Sequence, residues 1–162
     1  MLQVYTGDGK GKTTAALGQA VRFIGTGKRV AFVQFMKSWD TGERHVPLPR
    51  FSIAHFGSGQ WVVGKPSAKD LSEAAKAMEF ARKALSTVDV LVLDEGNMAL
   101  HFGLVKKKDF EALLDAAKPK EVIVTGRRAP KWLIARADLV TEMREVKHPY
   151  AKGKLGRKGT EY

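Results

Sequence analysis

The sequence predicts an α/β domain, a mostly parallel central sheet flanked by helices in three layers. Short apolar runs recur at Leu2–Tyr5, Arg29–Phe35, Val88–Asp94 and Glu121–Thr125. These runs are nearly continuous rather than alternating, as strands buried on both faces of a parallel sheet are. Segments of helical period separate them, which is the pattern of strands linked by crossover helices.

Leu2 to Tyr5 is the first strand, and the chain then passes Gly7, Gly9 and Gly11 into a helix from Thr13 to about Thr26, stopped by Gly25 and Gly27. Arg29–Phe35 (RVAFVQF) is a second, buried strand. A loop with Pro47 and Pro49 leads to a third strand, Phe51–Phe56, and Gly57 to Pro66 is a glycine-rich exposed connection carrying Trp61. Ser67 can cap a helix running to about Leu85, whose buried stripe is Ala74, Ala77, Met78, Ala81 and Leu85. Val88–Asp94 is a fourth strand, followed at once by Glu95. A helix from Lys108 to Ala117 ends before Pro119, Glu121–Thr125 is a fifth strand, Pro130–Ala137 a short helix and Leu139–Met143 a sixth strand. From about residue 145 the chain is a polar, basic, glycine-spaced tail. Ligands of such sheets bind off the carboxyl ends of the strands. That edge collects Gly7 to Thr14, Gln34 to Lys37, Asp94 with Glu95, and Thr125 to Arg127.

The stretch Val4–Leu17 (VYTGDGKGKTTAAL) reads as a phosphate grip. Glycines let successive N–H groups turn toward one concavity, and the free N–H groups of the following helix point there too. Thr6, Gly7, Asp8, Gly9, Lys10, Gly11, Lys12, Thr13 and Thr14 are therefore the candidate nucleotide-binding residues. Lys12 sets a positive charge where terminal phosphates would lie, and the Thr13 hydroxyl is placed to ligate a bridging Mg²⁺. The general pattern G-x-x-x-x-G-K-[ST] wants glycine where this chain has Thr6. With this loop, the expected architecture is that of a P-loop nucleotide-binding protein of RecA-like type.

A length of 162 residues bounds the chain to one compact core, so residues 1–162 are expected to form a single domain. Hydrophobic residues at 44% and charged residues at 28% argue against bulk disorder. With no Cys there is no disulfide, thiolate metal site or thiol nucleophile. No apolar run approaches the ~18 residues of a membrane span, and no basic-then-apolar leader precedes the first strand. No membrane association and a cytoplasmic location are the expectation. The net charge of +11 asks for an anionic partner; from Lys118 to Tyr162, twelve Lys or Arg against five Asp or Glu leave +7. Nucleic acid, a polyphosphate nucleotide or an acidic protein could each use that surface, and a solvated lysine-rich face is the plain alternative.

Asp94 and Glu95, at the end of an apolar strand, are candidate metal residues with Thr13, holding Mg²⁺ directly or through water. Either Arg127 or Arg128 is expected to face the nucleotide while the other is a surface charge. His45, His55, His101 and His148 show no ligand spacing, so no transition-metal site is expected. To this point the residues argue for an ATP- or GTP-binding domain without naming the acceptor. A RecA-like ATPase, or a nucleoside kinase, acting on nucleic acid or a nucleoside remains one reading, and a nucleotide-binding partner protein without catalysis another.

Over nearly its whole length the chain resembles the ATP:corrinoid adenosyltransferases, the cob(I)alamin adenosyltransferase family of P-loop type. The residues that carry the resemblance are Thr6–Thr14, Arg22, Val33-Gln-Phe-Met-Lys37 with Gly42-Glu-Arg44, Leu93-Asp-Glu95, Thr125-Gly-Arg127, Val146-Lys-His148 and the ending Gly159-Thr-Glu-Tyr162. The phosphate loop without its first glycine looks like this family's own form. The resemblance implies transfer of the 5′-deoxyadenosyl group of ATP to the Co(I) of a reduced corrinoid, with release of triphosphate. Cobalt is then the nucleophile and no catalytic base is needed. Lys12, Mg²⁺ and Arg22 or Arg127 would neutralise the leaving group. The resemblance also implies a homodimer and a flavoprotein reductant such as flavodoxin, with binding of nucleic acid not expected. Family members carry an aromatic pair in a G-F-x-W context that displaces the corrinoid's lower ligand. Here Gly57-Ser-Gly-Gln-Trp61 keeps Trp61 without the Phe, so Trp61 is read either as a corrinoid residue or as loop or interface packing.

Overall fold

The structure, a computed structural model, describes residues 1–148, 157, 159 and 160. The strands are β1 (Leu2–Thr6), β2 (Val30–Phe35), β3 (Phe51–Phe56), β4 (Val90–Asp94), β5 (Glu121–Thr125) and β6 (Leu139–Glu142). The helices are α1 (Lys12–Gly25), α2 (Ala68–Ala84), α3 (Gly96–His101), α4 (Lys107–Ala116) and α5 (Lys131–Arg136), with a 3₁₀ turn at Gly42–His45. All six strands lie in one sheet of order β3-β2-β4-β5-β1-β6. Every pairing is parallel, so the sheet is wholly rather than mostly parallel. The three-layer α/β architecture is the expected one.

The pleat sorts the core. In β2, Val30 and Phe32 face one side with Ala16 and Ala20 of α1, while Ala31, Val33 and Phe35 face the other with Ala74, Ala77, Met78 and Ala81 of α2. β4 and β5 repeat the division: Val90, Val92 and Ile123 lie on the α1 side, and Leu91, Leu93, Val122 and Val124 on the side that also holds Ala99, Phe110 and Leu133. A strand buried on both faces cannot show a period of two in its hydrophobicity, which is why these runs read as continuous. Among the described residues, α1 covers one face and α2, α3, α4 and α5 cover the other. α1 does so with small residues at i and i+4, Ala16 and Ala20, both fully buried, which lets its backbone lie close to the sheet.

Two elements go beyond the sequence pattern. α3 begins with Gly96 and Asn97, poor helix formers, and owes its existence to packing: a Cβ on Gly96 would lie 3.0 Å from Val124 and 3.3 Å from Phe110. The turn Gly42–His45 is a single short 3₁₀ segment. Among the described residues no helix is long and apolar enough to cross a membrane. The basic tail from about residue 145 falls largely outside the described residues, as do Glu161 and Tyr162.

Ser67 caps α2 as expected, through a reciprocal pair. The Ser67 hydroxyl accepts from the Asp70 amide at 3.2 Å, while the Asp70 carboxylate accepts from the Ser67 amide at 2.8 Å. Ser67→Ala should cost about 0.5–2 kcal/mol, lowering the melting midpoint by about 2–4 °C per kcal/mol in a thermal scan.

Candidate active site

Every inner strand ends the same way. The residue after the last position of β1, β2, β4 and β5 is Gly7, Met36, Glu95 and Gly126, and each has positive φ: 96°, 58°, 60° and 125°. The left-handed conformation costs a non-glycine residue roughly 1–2 kcal/mol, so Met36 and Glu95 hold strain at this edge. The reward is geometric, for the chain turns sharply off each strand and gathers the four strand ends and their first loop residues around one hollow.

The loop after β1 is shaped from behind. Gly9 N–H donates to the carbonyl of Met143 at 2.7 Å, and Met143 N–H donates to that of Thr6 at 2.8 Å. A Cβ on Gly7 would collide with the Met143 carbonyl at 2.3 Å, and one on Gly9 with the Arg144 backbone at 2.7 Å. These glycines are needed as much for the segment behind the loop as for the concavity in front. Gly11, at φ 108°, is the N-cap of α1, and among the described residues no side chain caps the helix. Its first N–H groups are thus left for a ligand, and the helix dipole favours a negative one. Lys12 is buried, and its ammonium donates to the carbonyl of Gly9 at 2.6 Å. Burial, opposed by the Glu95 carboxylate, pulls the pKa of Lys12 below its usual range.

Asp94 is the hub of the hollow. Its carboxylate, with no solvent exposure, accepts from the hydroxyls of Thr13 at 2.9 Å and Thr125 at 2.6 Å, and from Lys37 Nζ at 2.7 Å and Gln34 Nε2 at 3.2 Å. Gln34 Nε2 also donates to Glu43 at 2.9 Å. Glu95 sits alongside, and burial, with the adjacent Asp94 charge, pushes its carboxyl above the usual range. The oxygens of Thr13, Asp94 and Glu95 are hard donors, a set that suits a magnesium ion.

The structure separates the two arginines. Arg127 lines the hollow and lies 3.9 Å from Asp8, whereas Arg128, at φ 54°, turns away to His101 at 2.8 Å. Arg22 is not brought in: it occupies the last turn of α1, ten residues and about 15 Å of helix beyond Lys12. Trp61, 76% exposed, stands outside the hollow, but its ring centroid is 4.8 Å from that of Trp39, which lines it. The aromatic companion of Trp61 thus comes from the loop after β2 rather than from its own loop.

The hollow has a volume of about 910 Å³ and is lined by Asp8 to Thr14, Lys37, Trp39, Glu43, Glu95 and Arg127, joined by His148, Gly159 and Thr160. That is the size of a site for a nucleotide or a larger ligand. Sequence reasoning puts Lys37 and Thr125 at this edge without giving either a role. Their signal is available: each directly follows or closes an apolar run at a strand's carboxyl end. Trp39 and Thr41 carry no comparable sign, because a loop with no period brings them there, and Glu43 is marked only by the resemblance, within Gly42-Glu-Arg44.

If Thr125 is what satisfies the buried carboxylate, Thr125→Val should destabilise the protein by about 1.5–3 kcal/mol, the worth of a hydrogen bond to a charged group. Thr125→Ser keeps the hydroxyl and should lose about 1 kcal/mol, the value of one buried methyl. Denaturant unfolding of the two variants separates the contributions.

The profile of a family described as "ATP:corrinoid adenosyltransferase BtuR/CobO/CobP" matches residues 1–162. A corrinoid adenosyltransferase of Sinorhizobium sp. is 36% identical over 171 residues, spanning 100% of this chain and 80% of that protein. One from Escherichia coli K12 is 34% identical over 166 residues, 98% of this chain and 84% of its own length. One from Pseudomonas aeruginosa is 36% identical over 170 residues, 100% and 83%. The match runs the length of the chain, the loop with Thr6 at its first position included, and the chain belongs to the ATP:corrinoid adenosyltransferase family.

Proposed function

We propose that this chain transfers the 5′-deoxyadenosyl group of ATP to the Co(I) centre of a reduced corrinoid and releases inorganic triphosphate. Family membership over residues 1–162 supports it. The observation that carries it is the buried Lys12 ammonium, 2.6 Å from a loop carbonyl at an uncapped helix start. That combination suits a polyanion better than any neutral group. In the reaction the lone pair of Co(I) attacks C5′ of the ribose, and the C5′–O bond breaks with its electrons leaving on the triphosphate. No proton is moved, so the chain's work is to orient and to stabilise charge on the leaving group. Lys12, the N–H groups that open α1 and Arg127 do this. Thr13, Asp94 and Glu95 would hold a magnesium ion, which when bound supplies further positive charge to the phosphates. The indoles of Trp39 and Trp61, tilted 39° to each other at the rim, offer apolar surface to a macrocycle. The proposal includes a homodimer as the acting species and a flavoprotein such as flavodoxin as the source of the reducing electron.

Incubation with MgATP and chemically reduced cobalamin should yield adenosylcobalamin and triphosphate in equal amounts, followed by visible spectrum and ion chromatography. Release of ADP and phosphate would reject the proposal in favour of a hydrolase or kinase. Lys12→Ala should lower kcat/KM by about 10²–10³-fold, the cost of losing one preorganised charge-stabilising donor. Turnover within a few-fold of wild type would contradict its role.

A further inference from the structure

The ammonium of Lys37 occupies the position that the metal reading gives to a cation. It lies 2.7 Å from Asp94 Oδ2 and 3.4 Å from the Thr13 hydroxyl, which is itself 2.9 Å from Asp94 Oδ1. The side chain is 14% exposed and its carboxylate partner 0%, so this pair is shielded from the water that makes surface pairs weak. Resting on the magnesium assignment above, we propose that Lys37 is a built-in counter-ion that stands in for the divalent cation until a triphosphate arrives, and so keeps free metal out of the empty site.

The backbone that carries Lys37 is fixed while the side chain has room to leave. Met36, at φ 58°, turns the chain off β2, and Lys37 N–H donates to the carbonyl of Phe56 at 3.2 Å. A Cβ on Gly57 would meet the Lys37 backbone at 2.9 Å, so the two chains touch there without a gap. The flexible four-carbon stem then ends in the hollow itself, which Lys37 lines together with Lys12 and Thr13.

Charge decides the order of events. A divalent cation approaching Asp94 alone meets the Lys37 ammonium in contact with the same carboxylate, and the repulsion acts at short range in a poorly screened place. A triphosphate changes the balance, because it offers Lys37 a second anionic partner within reach and brings its own demand for a divalent ion. Lys37 moves from carboxylate to phosphate, the metal takes Asp94 and Thr13, and each ligand strengthens the other. By linkage, nucleotide must tighten metal binding by the factor by which metal tightens nucleotide binding.

The test is Mn²⁺ binding, read as loss of the free-ion electron paramagnetic resonance signal and as water-proton relaxation enhancement. Without nucleotide, Lys37→Met and Lys37→Ala should each bind Mn²⁺ at least ten-fold more tightly than wild type. Lys28→Met, which removes the same charge from an exposed position at the opposite edge of the sheet, ahead of β2, should change the affinity less than two-fold. Using two Lys37 variants guards against one of them failing to fold. Equal nucleotide-free Mn²⁺ affinity in wild type and both Lys37 variants would overturn the stand-in role. Should no protein, wild type or variant, alter the relaxation signal of Mn²⁺ with ATP, the magnesium assignment itself falls and takes this proposal with it.

Discussion

A carboxylate shut away from water has to be answered on all sides, and Asp94 is answered by four segments of chain at once. Thr13 reaches it from the start of α1, Thr125 from the end of β5, Gln34 from within β2 and Lys37 from the turn after β2. An unsatisfied buried charge would cost several kcal/mol, so none of these groups can drift without penalty. The requirement runs through the sheet. β4 must stand between β2 and β5 for donors from both sides to arrive, and the order β3-β2-β4-β5-β1-β6 sets it there. β1 then lies one strand further on, with β5 between it and β4, so the loop from β1 into α1 crosses over β5 to bring Thr13 to Asp94.

The left-handed turns serve the same constraint. A strand that continued straight would carry its next residues away from the hollow. Turning at once lets Lys37, Glu95 and Arg127 stand close to where their strands stop. The chain accepts strain at Met36 and Glu95 where glycine would have been free of it. At Glu95 the side chain itself is wanted at the hollow's wall, which glycine could not supply. Asn97, fully buried in α3, steadies the next turn by donating to the carbonyl of Gly126 at 2.7 Å.

Much of this is legible in the sequence because it is written in local rules. Continuous apolar runs mark the strands, Ser67 with its following helical stripe marks the start of α2, and glycines followed by Lys12-Thr13 mark the loop. The rest depends on contacts between distant residues. α3 starts on Gly96 because Val124 and Phe110 leave room for nothing larger, a fact that sequence position alone does not contain. The choice between Arg127 and Arg128 turns on one left-handed residue and on His101 waiting beside it. The partner of Trp61 is 22 positions away in the chain, and motif spacing, which looks only along the sequence, seeks it in the wrong loop. Resemblance expects Arg22 near the phosphate loop, yet the helix rise carries it to the opposite end of α1.

The wall behind the glycine loop is the backbone that continues β6, a strand at the sheet's edge with all four of its residues exposed. Side chains there touch little, while the carbonyl of Met143 must fall opposite Gly9. Spelling is therefore free along Leu139–Glu142 and length is not. Evolution can exchange letters in that strand at small cost, but adding or deleting one would slide the wrong atom behind the loop and reverse every face of the strand that frames it.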